Sequence, residues 1–170
     1  MDANHKKQAL RMIPYGLYVL TAKSGPGENQ LATSTVNWVT QASFEPPLVV
    51  VGVKKDSVSH AVIKDAGAFA LNVLGKDQQD LAFAFFKHVE PDGDTVAGQP
   101  FTLGATTGAP ILTNTPAYVE CQLKETVEIG DHSVFVGEVV GAGVAQQAEG
   151  RPDDHTLELR DLGEKTFYGG

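Results

Sequence analysis

Apolar and polar positions along this chain change period several times, and each change marks an expected element. Residues 3–12 read as a short helix that must stop before Pro14, because the residue preceding a proline is pushed out of the α region. Gly16 to Lys23 is rich in β-formers and predicts a strand. Ser24-Gly25-Pro26-Gly27-Glu28-Asn29 has the composition of a turn. Leu31 to Thr40 predicts a second strand. The run Leu48 to Val53 holds too many consecutive apolar residues for a half-exposed strand, so it is expected in the interior. Asp56 or Ser57 can cap a helix in which Val58, Ala61 and Val62 follow helical spacing. Phe69 to Leu74 is again a strand.

Asp77-Gln78-Gln79-Asp80 then opens a helix with i,i+4 pairs Leu81/Phe85 and Ala82/Phe86. Residues 87–116, dense in glycine and proline, predict a long irregular connection. Val119, Cys121, Leu123, Val127 and Ile129 alternate with Glu120, Gln122, Lys124, Thr126 and Glu128. This period of two predicts a strand with one wet face. Gly130-Asp131 suits a hairpin turn, and Ser133 to Val144 the returning strand. Strands outnumber helices and connections are short. The expected class is mainly β (α+β), an antiparallel barrel with peripheral helices.

Composition narrows the function. With 170 residues, one domain over 1–170 is the natural expectation, large enough to bury a real core. A net charge of −8 with interspersed signs disfavours nucleic acid and anionic membranes as partners. Cys121 is the single cysteine, so neither an intramolecular disulfide nor a thiolate metal cluster can form within one chain. No hydrophobic segment of a secretory signal follows Met1-Asp2-Ala3-Asn4, and no apolar run approaches bilayer length, so a cytoplasmic location is expected. The five histidines form no close-spaced pair, and no metal site is expected. No Gly-x-Gly-x-x-Gly opens a helix, which argues against a Rossmann dinucleotide site.

Three segments carry candidate chemistry. Asn37-Trp38-Val39-Thr40-Gln41-Ala42-Ser43-Phe44-Glu45-Pro46-Pro47 follows the hydroxyls of Thr33, Ser34 and Thr35. Lys54-Lys55-Asp56-Ser57-Val58-Ser59-His60 puts cations and hydroxyls at a helix N-terminus, where free N–H groups and the dipole favour an anion. The same residues would also serve as a solvated cap with surface lysines. Gly130-Asp131-His132-Ser133 presents a histidine beside the hairpin, which by itself is more often an exposed polar residue.

In order and spacing, these segments resemble the flavin reductase-like FMN-binding split-barrel family. Further parts of the resemblance are an early Pro-Tyr-Gly, Phe69-Ala70-Leu71-Asn72-Val73-Leu74, Gly108-Ala109-Pro110-Ile111-Leu112, Glu120-Cys121 and the ending Tyr168-Gly169-Gly170. The chain is especially similar to the flavin reductase module at the end of cyanobacterial flavodiiron proteins. The resemblance implies a Greek-key split β-barrel that binds FMN, with FAD as an alternative, in a homodimer. It implies flavin contacts from Thr33, Ser34, Thr35, Asn37, Trp38 and Val39 and phosphate contacts from Lys54, Lys55, Ser57, Ser59 and His60, with Phe85, Phe86 and His88 as candidates to line the same cleft. It places His132 near the flavin, where the nicotinamide of NADH or NADPH approaches, as a positioning residue. Phenylalanine at helical spacing and a lone tryptophan are, however, more often core.

The implied activity is reduction of FMN by NAD(P)H, the hydride passing directly from a transiently bound nicotinamide to flavin N5. The alternative is a flavoredoxin-type FMN carrier that passes electrons to a redox protein partner; a third reading is a flavin-binding domain without turnover. Arg11, Arg151 and Arg160 are the only arginines, and any of them could meet a 2′-phosphate.

Overall fold

The computed structural model describes residues 1–26 and 30–170, so three residues of the expected turn, Gly27, Glu28 and Asn29, lie outside the described residues. Helix α1 spans Ala3–Arg11, β1 Tyr18–Lys23, β2 Leu31–Val36, β3 Val39–Ser43, β4 Leu48–Lys54, α2 Val58–Ala66 and β5 Ala68–Val73. Helix α3 (Gln79–Ala84) precedes four short strands, β6 (Pro91–Asp92), β7 (Thr95–Val96), β8 (Gln99–Leu103) and β9 (Pro110–Leu112). The long hairpin of β10 (Ala117–Val127) and β11 (His132–Val144) follows, then 3-10 turns at Pro152–His155 and Leu159–Leu162.

Seven strands form one antiparallel sheet in the order β2-β1-β5-β10-β11-β4-β3. β2 and β3 therefore lie at opposite edges, although Asn37 and Trp38 alone separate them in the chain. Three residue steps reach about 10 Å at most, so the sheet must curl until its two edges face each other. The amide of Gly52 bonds the carbonyl of Trp38 at 2.9 Å at this point. The result is the expected antiparallel barrel, split along one seam. The predicted strand Leu31 to Thr40 is in fact two strands, because the chain changes edges within it.

Period-two alternation divides the core. Leu20 and Ala22 of β1 point into the barrel with Val51, Val53, Phe69, Leu71, Cys121 and Phe135. Helix α2 closes this interior with Val62 and Ile63; Ser57 caps its N-terminus and Gly67, at φ 65°, ends it in the left-handed conformation that glycine adopts without cost. Val19, on the other face of β1, joins Leu17, Leu74, Leu81, Phe85, Val96, Leu112 and Leu157 in a second cluster. Burial pushes the Cys121 thiol up to about 12, with Glu120 adding to the effect, as expected of an inert packing residue.

Four expectations are corrected. Residues 87–116 are not an irregular connection: β6 to β9 form a second antiparallel sheet, whose two-residue strands are too short to show a period. Asn72 ties it down, donating from Nδ2 to the Val19 carbonyl at 3.0 Å and accepting from the Leu112 amide at 2.9 Å. β10 does not keep one wet face. Glu120 is buried and accepts from the amides of Thr106 (3.2 Å) and Thr107 (2.7 Å), while Ile129 is fully exposed in the turn. A bulge between Leu123 and Glu125 shifts the phase.

β4 is not wholly interior either. Val51 and Val53 are buried, whereas Val50 is half-buried on the outer face beside Val136 of β11. Finally, α3 ends at Ala84, leaving Phe85 and Phe86 beyond it; Phe85 is buried and Phe86 half-exposed.

Candidate functional site

A cavity of about 340 Å³ opens on the seam, a size within the range of small-molecule sites. One barrel edge supplies Ser34, Thr35, Val36 and Asn37, and the other supplies Gly52, Val53 and Lys54. Ser57, Leu17, Phe86, Leu159 and the segment Thr166–Tyr168 complete the lining. Gly52 is required by close approach, because a Cβ there would stand 3.0 Å from the Trp38 ring. Phe86 reaches the cavity because Thr35 anchors the end of α3. The Thr35 amide donates to the Phe85 carbonyl at 2.9 Å and its hydroxyl to the Ala82 carbonyl at 2.7 Å.

The polar end of the cavity sits at the entrance of α2. Ser57 Oγ donates to the Lys54 carbonyl at 2.8 Å and accepts from the His60 amide at 3.1 Å. Ser34 Oγ lies 2.9 Å from Ser59 Oγ, joining β2 to the first turn of α2. Lys54 Nζ is 3.1 Å from Asp56 Oδ2, and this exposed carboxylate raises the pKa of the lysine. A helix N-terminus, hydroxyls and a lysine at one end, with Phe86, Leu17 and Val36 alongside, form a donor set that fits a ligand with a flat apolar body and an anionic tail.

A second group adjoins the cavity through Tyr168. His132 Nε2 lies 2.7 Å from the Tyr168 hydroxyl, and Nδ1 lies 2.9 Å from Asp131 Oδ1. The hydrogen bond to His132 lowers the Asp131 pKa, and burial raises that of Tyr168 against the opposing pull of Lys54. Trp38 stacks at a tilt on both rings, with centroids 4.6 Å from His132 and 5.3 Å from Tyr168. Its indole N–H is buried without a partner, an unmatched donor next to the cavity wall.

The structure thus brings Ser34, Thr35, Asn37, Lys54, Ser57 and Phe86 together on the cavity, with Trp38 and His132 adjoining. Thr33, Val39, Lys55, Ser59 and His60 do not line it. Alternation along β2 turns the buried Thr33 to the face opposite Ser34, and Val39 packs against the barrel core. Ser59 stands behind Ser34. Lys55 turns away, its Nζ donating to the Glu128 carbonyl at 2.8 Å. His60 is buried between α2 and β11, with Nε2 2.8 Å from Ser133 Oγ and its ring 5.1 Å from that of Phe135. Sequence reasoning missed Gly52 and Tyr168. The aromatic before two glycines at 168–170 was the one available signal for the latter.

A curled antiparallel half-barrel with a polar-ended cavity of small-molecule size on its seam defines the class, a split β-barrel. The sequence profile of the flavin reductase like domain matches residues 10–159, and the chain belongs to that family. It is 37% identical over 151 residues, 88% of the chain, to diflavin flavoprotein A 1 of Synechocystis, of whose length it covers 25%. It is 36% identical to an NADH-dependent FAD reductase of Streptomyces globisporus, covering 76% of this chain and 69% of that protein. The structure of the styrene monooxygenase flavin reductase of Pseudomonas putida S12 superposes with a TM-score of 0.74 at 26% identity, covering 98% of this chain and 97% of that one. The chain spans about a quarter of the length of the diflavin flavoproteins it matches.

The surroundings of His60 generate a pH prediction. Burial, then the charge of Lys64, lower its pKa, while Glu128, 3.8 Å away, opposes them. The unfolded chain then binds a proton more readily than the folded one. His60 therefore leaves stability intact above the unfolded value of about 6.5, and stability is lost as the pH falls below it towards the depressed folded value. Urea unfolding of wild type and His60→Gln across this window should show a steeper acid loss in the wild type. Parallel pH profiles would contradict the burial argument.

Proposed function

We propose that the chain is an NAD(P)H-dependent flavin reductase that takes FMN, with FAD as the alternative flavin. The observation that carries this reading is the seam cavity, which joins hydroxyls and a lysine at a helix entrance to an apolar body and an adjoining histidine. Lys54, Ser57 and the first amides of α2 would hold the phosphate, with Ser34 and Thr35 beside the ribityl chain and Gly52 and Phe86 against the ring system. A bound flavin supplies, at N5, the acceptor for the hydride of nicotinamide C4. The protein's own task is then to orient two rings and exclude water. Trp38 and His132 form the wall on which the nicotinamide would be positioned, and His132 has no proton to transfer in a direct hydride step.

Relatives carry names that include NADH-dependent FAD reductase and NADH-dependent flavin reductase, which supports a nicotinamide reductant. The names diflavin flavoprotein and high molecular weight rubredoxin favour, as a second reading, an electron carrier that serves a redox partner. Anaerobic mixing of the purified chain with FMN and NADH or NADPH tests the first reading. Bleaching of the visible flavin band is expected, and no bleaching with either nucleotide would overturn it.

A second copy of the chain would complete the site. The outer face of β4, β10 and β11 exposes Val127 and Val134 beside half-buried Val50 and Val136, in the same strands that hold Gly52 and His132. An isologous contact is the commonest way to cover such a face. Sedimentation should give a dimer; a monomer that still binds FMN stoichiometrically would contradict a shared pocket.

Replacing Lys54 tests the phosphate assignment. Lys54→Met should weaken FMN roughly tenfold at low salt and leave riboflavin almost unchanged. Lys55→Met should do little to either, because its ammonium is engaged at Glu128. Equal losses for FMN and riboflavin would move the phosphate elsewhere.

His132→Ala should slow reduction by NAD(P)H by up to about a hundredfold, the effect of misplacing a reacting ring by about 1 Å. FMN affinity should hardly change. Stopped-flow reduction and an FMN titration separate the two steps, and unaltered reduction would favour the carrier reading.

A further inference from the structure

We infer that Tyr168 is a positioning residue of this site: its hydroxyl and the Asp131 carboxylate clamp the two ring nitrogens of His132, while Asn37 and Arg11 hold the segment that delivers it. The inference rests on the role of His132 proposed above.

An imidazole has two neutral tautomers and can turn about its own side chain, so a histidine that orients another ring needs outside constraints. Asp131 accepts and cannot donate when ionised, so the Nδ1 that it meets at 2.9 Å carries the proton. In the neutral imidazole Nε2 is then a lone pair, and the Tyr168 hydroxyl 2.7 Å away is its donor. The phenol keeps its proton, because burial raises its pKa. Trp38 packs against the ring from the side, 4.6 Å between centroids. The two hydrogen bonds and one tilted ring contact fix both tautomer and orientation.

The segment is seated by Asn37 of the site and by Arg11 at the end of α1. Asn37 Nδ2 donates to the Tyr168 carbonyl at 3.0 Å, so the amide that the family resemblance sends to the flavin holds the segment in this structure. Arg11 Nε donates to the Gly169 carbonyl at 3.3 Å, and its guanidinium lies 4.2 Å over the Phe167 ring. Gly169 adopts φ 137° as it passes Trp38; a Cβ there would stand 3.5 Å from the indole nitrogen. Simple apolar packing would be served as well by phenylalanine at position 168, which lacks the atom that meets His132.

The test uses the full chain with ¹⁵N-labelled histidine. Long-range ¹H–¹⁵N spectra should show His132 as the Nδ1–H tautomer with an accepting Nε2, and Tyr168→Phe should shift that signal towards a mixture. Emission from Trp38, the single tryptophan, checks that the segment stays seated in the variant. Tyr168→Phe should also slow reduction on the order of tenfold, a loss larger than any change in FMN affinity. Added to His132→Ala, it should cost nothing more, since it acts through that ring. Unaltered His132 signals in Tyr168→Phe, or additive losses in the double variant, would overturn the inference. Shifted signals together with normal reduction by His132→Ala would instead uphold the clamp and sink the proposed role of His132.

Discussion

Two residues, Asn37 and Trp38, must carry the chain from one edge of a seven-stranded sheet to the other. That constraint shapes the rest of the molecule. A flat sheet would put the two edges tens of ångströms apart at about 4.8 Å per strand, so the crossing forces the sheet to coil. It also leaves a place where backbone from both edges converges without continuous pairing. The cavity lies there, between the end of β2 and the end of β4.

The crossing works because its neighbours allow it. Gly52 lets Trp38 lie against β4, and the Gly52 amide secures the Trp38 carbonyl. Only three residues separate β4 from α2, so the helix N-terminus points at the same opening that Ser34 faces. On the far side, His60 and Ser133 lock α2 to β11 in buried surroundings, which fixes the helix entrance relative to the hairpin carrying His132. Geometry at the polar end and at the histidine end is thus set by one continuous piece of core. This arrangement suits a site whose work is orientation rather than proton transfer.

The sequence and the structure agree best where a local rule is strong. Pro14 bounded α1, Ser57 capped α2, the runs of β-formers in β1, β4 and β11 formed strands, and so did the apolar run of β5. They diverge where a distant partner overrides the local pattern. Glu120 occupies a position that alternation assigns to solvent, yet the amides of Thr106 and Thr107 draw it inside. β6 and β7 have two residues each, too few to show any period, and the sheet of β6 to β9 exists through pairing and through Asn72. The apolar run of β4 implied burial on both faces, but Val50, on the outer face, is only half-buried.

The sequence by itself determined the family, the antiparallel class and the cluster of hydroxyls and lysines at a helix entrance, because each rests on neighbours in the chain: propensity, capping and ordered motifs. Only tertiary structure decided which of those residues share a cavity. Alternation in β2 and the side on which α2 docks set Ser34 and Lys54 on the seam and turned Thr33, Lys55 and His60 away. Tyr168 meets His132 across 36 positions of chain. No periodicity encodes such a contact, since it depends on where the ends of separate elements come to rest once the barrel has curled.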